Sequence, residues 1–123
     1  MKGSTNAQSP NVVDLTSSIT VDTTKLSAIA IRCIRTGNVV TLSFVGMNIL
    51  TTVNDTPVIS GLPRAKGDAG LCIMDWQQGP TGILFELYNG TDYIRKYGSA
   101  TAGNIYQSMS YITDEPLVGG GLS

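Results

Sequence analysis

The chain is cut at short intervals by Gly, Asn and Pro, and between these breakers lie runs such as Val39 to Val45 and Ile83 to Tyr88. No stretch free of breakers shows the apolar spacing of a dozen helical positions, so the pattern predicts short antiparallel strands rather than a βαβ fold. At 123 residues the length suits one domain with a core of its own. The expected architecture is all-β, a small antiparallel sandwich or barrel of about eight strands.

Turn chemistry places the strands. Gly37-Asn38 closes a tight hairpin between the Ser27 to Thr36 run and Val39 to Val45. Asn54-Asp55 marks a second reversal, with Pro57 on an edge or at a strand start. Gly61-Leu62-Pro63 opens a polar loop that reaches Gly70, and Leu71 to Trp76 is the next strand. Gln77-Gln78-Gly79-Pro80 is read as a turn before Gly82 to Leu87, and Asn89-Gly90 as a tight hairpin that returns Thr91 to Tyr97. Ile105 to Ile112 ends the sheet. Residues 1–11 read as a linker or shaft stub, 12–117 as the sandwich, and 118–123, with Gly119-Gly120-Gly121, as a flexible tail.

Side-chain alternation assigns faces. Val40, Leu42 and Phe44 belong to the core, as do Ile83, Phe85 and Leu87. Between Ala28 and Ile34 both faces are apolar, with Ile29, Ile31 and Cys33 on one side and Ala30 and Ile34 on the other. Such a two-sided strand in a small antiparallel protein is expected to lie under a cover or against another subunit. Cys33 and Cys72 both sit in apolar strand contexts and are expected to be buried free thiols.

Composition narrows the function. Charged residues make up 14% of the chain against a usual share of about 25%, and the net charge is −1. A protein that neutralises phosphates needs a basic stripe, so nucleic acid is not an expected partner. No apolar segment approaches the roughly 20 residues of a membrane span, and Met1 to Thr5 leads into polar residues rather than a signal-peptide core. Histidine is absent, which removes the usual general base, the usual partner of a Ser or Cys nucleophile and the commonest metal ligand. No cofactor, metal or catalytic group is expected. Asp75, Glu86 and Asp92 are the carboxylates a glycosidase pair would have to use. The Asn54-Asp55-Thr56 and Asn89-Gly90-Thr91 triplets fit turns as well as glycosylation.

Aromatic and amide side chains are the chemistry on offer. Asp75, Trp76, Gln77 and Gln78 suit a sugar, whose apolar face stacks on an indole while amides and a carboxylate meet its hydroxyls. The same reasoning extends to Tyr88, Asn89, Asp92, Tyr93, Arg95 and Tyr97. Core or rim packing of Trp76 is the alternative, and a subunit contact would equally explain Tyr93, Arg95 and Tyr97.

Three segments carry a family resemblance. Arg35 to Ser43 resembles a hairpin of the form G-N-x-V-x-L, Val58 to Pro63 an I-x-x-L-P segment, and Tyr106 to Ile112 a closing strand. In these, the chain resembles the C-terminal receptor-binding head domain of tail-fibre and baseplate proteins from phages and prophages of Gram-positive bacteria. It departs after Leu62-Pro63, where the family commonly shows an aromatic and a second proline and this chain has Arg64-Ala65-Lys66-Gly67. The resemblance implies a jelly-roll-like sandwich assembled as a homotrimer at a virion tail tip or baseplate. It would act outside the cell, join other tail proteins through its N-terminus, and adhere to a host cell-wall saccharide without cleaving it. Three linked copies would raise avidity over a weak single site. A monomeric carbohydrate-binding module of a secreted bacterial enzyme and a purely structural virion decoration are the rival expectations.

Overall fold

A computed structural model describes residues 11–117. Ten strands form two antiparallel sheets that face each other across one core. The strands are β1 Val12–Asp14, β2 Thr20–Val21, β3 Leu26–Ser27, β4 Ala30–Thr36, β5 Val39–Ile49, β6 Thr56–Ser60, β7 Ala69–Asp75, β8 Gly79–Leu87, β9 Ile94–Tyr97 and β10 Ala102–Ile112. One sheet runs β2-β6-β9-β8-β7; the other runs β10-β5-β4-β1, with β3 pairing the far end of β5. The linker and tail expectations for residues 1–10 and 118–123 lie outside the described residues.

The alternation of polar and apolar residues builds the core. Val40, Leu42 and Phe44 are buried from one sheet, and Ile83, Phe85 and Leu87 from the other, as their parity requires. Phe44 and Phe85 meet edge to face across the sandwich at 5.7 Å between ring centres, a contact worth about 1 kcal/mol beyond its buried area. Gly37-Asn38 makes the expected two-residue turn, with Thr36 opposite Val39 and Gly37 at φ 60°.

Several expectations are corrected. The described residues hold ten strands rather than about eight, because β2 and β3 are two-residue pieces too short to register as alternation. The turn after β7 is Trp76-Gln77-Gln78, and Gly79-Pro80 already belong to β8, since Gly79 pairs Asp75. Asn89-Gly90 does turn the chain, with the Thr91 N–H donating to the Tyr88 carbonyl, but only Gly90 takes positive φ. That geometry differs from the turn in which both central residues are left-handed, and β9 starts only at Ile94. Ile29 does not share the buried side of Ile31 and Cys33; it precedes β4 and is 77% exposed. Cys33 is buried, and burial pushes its thiol up to about 11. Cys72, in contrast, is exposed on the outer side of β7, and both thiols are free.

Two bulges and one side chain shape the corner where the sheets meet. Along β5 and β10 the register slips twice, once at Gly46 (φ 58°) and once at Asn104 (φ 55°). The left-handed backbone at Gly46 favours glycine, since a side chain there would be strained. Gln107 then acts as a substitute strand: its Oε1 accepts from the Met74 N–H at 2.8 Å and its Nε2 donates to the Cys72 carbonyl at 3.0 Å. This amide occupies the free edge of β7 and ties it to β10.

Candidate functional site: two aromatic surfaces

The first surface is built on the β7–β8 turn. Asp75 is 9% exposed, and its Oδ1 accepts from the backbone N–H groups of Gln77 at 2.7 Å and Gln78 at 2.9 Å. This carboxylate therefore serves the turn, which projects the next side chain outward. That side chain is the Trp76 indole, 71% exposed, and the Trp76 backbone N–H donates to the Asn104 carbonyl at 2.9 Å. Core packing of Trp76 is thereby excluded within this chain.

Around the indole the bulge of β10 completes a cleft. Asn104 sits in the left-handed region, unusual for a residue with a side chain. Its Nδ2 donates to Gln77 Oε1 at 3.2 Å, so two amides lie side by side. The second ring is Tyr106, 52% exposed. Trp76, Gln77, Asn104 and Tyr106 line an open cleft of about 460 Å³, and none of these side chains is charged. Chemically this is an apolar platform with paired amide donors and acceptors, suited to a neutral polyhydroxylated ring.

The second surface is the outer face of β9 and its neighbours. Tyr93, Arg95 and Tyr97 share one side and are half-buried. Arg95 lies 5.6 Å above the Tyr93 ring and donates from Nε to Asp55 Oδ1 at 2.6 Å. That hydrogen bond is the main reason its guanidinium is held still more firmly in the charged form. Tyr88 and Tyr97 meet edge to face at 6.3 Å. Hydrogen bonds with Glu86, first, and Tyr97 push the Tyr88 phenol well above the ordinary tyrosine range.

The ten residues singled out from sequence do not form one site. Asp75, Trp76 and Gln77 belong to the corner; Tyr93, Arg95 and Tyr97 belong to the stripe. Tyr97 pairs Leu84 while Asp75 pairs Gly79, so the two surfaces lie on either side of the irregular stretch of β8 around Gly82. Asn89 is a loop clamp: its Oδ1 accepts from the Gly67 N–H, and its own N–H donates to Asp68 Oδ1, both at 2.8 Å. Asp92 is exposed in the same loop, and its carbonyl accepts from the Leu62 N–H. The three carboxylates weighed for a glycosidase pair thus stand in a turn, on a sheet face and in a loop.

Asn104 and Tyr106 are the site residues that sequence reasoning missed. The Gly103-Asn104 pair at the head of an apolar run is a bulge signal, but nothing local ties it to Trp76. Comparison with protein-family models, with curated proteins and with solved structures finds no match, so the site is read from its own geometry.

Proposed function

We propose that this chain is a non-catalytic receptor-binding head of a phage tail appendage, which adheres to a neutral saccharide of a Gram-positive cell wall through the Trp76 cleft. The observation that carries this reading is the pairing of an exposed indole and phenol with the Gln77–Asn104 amide pair on a strained bulge. Rigid aromatics held open to water lack a packing reason, whereas a pyranose ring covers them. Among the described residues no cation lines the cleft, and the Asp75 carboxylate lies beside Gln77, which together select against phosphorylated or uronic sugars.

The finer architecture proposed is a jelly-roll-like sandwich assembled as a homotrimer on the virion, with its N-terminus toward other tail proteins. Support for self-association lies on the outer face of the β10-β5-β4-β1 sheet. There Val12, Thr36, Val39 and Ile112 form one exposed row across four strands. Next to it Thr41 and Ser110 share a hydroxyl hydrogen bond of 2.9 Å. This apolar row, with Asp14 and Arg32 as exposed charges on the same face, suits contact with copies of itself.

Two measurements test the reading. Trp fluorescence during titration with wall polysaccharide should change saturably and be unaffected by anionic teichoic polymers added alone. Light scattering behind size-exclusion chromatography should give three times the 13.0 kDa chain mass. A monomer that binds sugar would point instead to a carbohydrate-binding module, and a trimer indifferent to every polysaccharide to a structural virion component.

A further inference from the structure

A second cleft lies near the other end of β5, walled by Val13, Leu15, Leu62, Pro63 and Pro116, with Arg35 lining it. Arg35 is 4% exposed and sits opposite Val40, on the core side of β4. Its Nε donates to the Gly37 carbonyl at 2.7 Å, and its Nη2 to the Glu115 carbonyl and the Asn38 side chain. Nη1 makes no hydrogen bond among the described residues, and no carboxylate there pairs with this guanidinium. Glu115, the acid nearest along that wall, gives its carboxylate to Arg64, through the backbone N–H at 2.8 Å and Nη2 at 3.7 Å.

A buried cation that meets only carbonyl oxygens is costly to hold, and a counter-ion relieves that cost. Planar bidentate pairing with a carboxylate is what a guanidinium does best. Apart from Ser18 and the Glu115 already engaged by Arg64, the walls are mostly aliphatic, so a bare inorganic anion would leave them unfilled. The volume, about 230 Å³, falls below the roughly 300–1,000 Å³ of drug-sized sites. We propose that this cleft binds a small aliphatic carboxylate, its carboxylate on the Arg35 guanidinium and its hydrocarbon against Leu15 and Leu62. The source is either a free short-chain acid or the C-terminal residue of a peptide, which share this chemistry.

The test is an amide ¹H–¹⁵N titration of the full chain with isobutyrate, with isobutyramide as the uncharged isostere and acetyl-alanyl-alanine as the peptide terminus. Isobutyrate should shift the amides of Leu15, Arg35 and Leu62 saturably, and isobutyramide should not. Tighter binding of acetyl-alanyl-alanine assigns a peptide terminus, and weaker binding a free acid. Arg35→Lys should weaken isobutyrate at least tenfold. If that variant does not fold, Leu15→Trp, which fills the cleft from a half-buried position, should abolish the shifts. Equal shifts with acid and amide, shifts that never saturate, or none with either acid would overturn the proposal.

Discussion

The Trp76 corner and the Tyr93–Arg95–Tyr97 stripe use the same kinds of residue toward different ends. In the stripe every polar tip is already engaged: Arg95 with Asp55 and Tyr93, Tyr88 with Glu86 and Tyr97. In the corner the indole and much of the Tyr106 ring stand open, and the amides of Gln77 and Asn104 are bonded to each other. Residue type alone does not make a ligand site. What distinguishes the two is how much of each side chain the fold has already used, because a committed group must break a contact before it can make another.

Substitutions can break or sharpen this contrast. The largest effect is expected at the corner: Trp76→Ala should lose about 2 kcal/mol of saccharide affinity, roughly thirtyfold. Its thermal midpoint should move little, since the side chain is exposed. If Trp76→Ala binds host cells as well as wild type, the corner is not the site. Next is Asp75→Ala, which strands the amides of Gln77 and Gln78 and should cost about 1–2 kcal/mol of stability in urea titrations. Its affinity should fall as the turn loosens, and Asp75→Asn should recover part of both.

The stripe should respond in the opposite sense. Arg95→Ala removes a partly exposed ion pair and should leave the thermal midpoint nearly unchanged, with saccharide affinity unchanged. Loss of binding in that variant would merge the two surfaces into one functional unit. The smallest effect is spectroscopic. Because Tyr88 has its folded-state pKa raised, its contribution to stability is present below the ordinary tyrosine value of about 10 and fades as pH climbs past it. Glu86→Gln should bring the Tyr88 absorbance transition down toward that ordinary value. A transition that stays in place would show that Glu86 is not its main partner.

Much of the fold was legible because its signals are local. Alternation in Val40-Thr41-Leu42-Ser43-Phe44 and in Ile83-Leu84-Phe85-Glu86-Leu87 reports burial within one strand, and Gly37-Asn38 reports a turn within four residues. Legibility ended where parity is reset. The bulge at Gly46 restores Met47 and Ile49 to the core after Phe44, which strict alternation would not place there. Ile29 was misassigned for a related reason, since β4 begins only after it. Arg35 and Lys96 were missed as buried cations because burial of a long polar side chain depends on distant carbonyls, Glu115 for one and Val53 for the other.

The candidate site divides the same way. That Trp76 leaves a strand end beside amides is written in consecutive residues. That Asn104 and Tyr106 join it follows only from β7 lying alongside β10, held there by the Gln107 side chain. By itself, the sequence determined an all-β chain, its hairpins and the two halves of its core, since period and turn chemistry act over a few residues. Tertiary structure alone decided which sheet edges meet, which aromatics stay open to water and which cations lie buried, because these depend on contacts between segments some thirty residues or more apart.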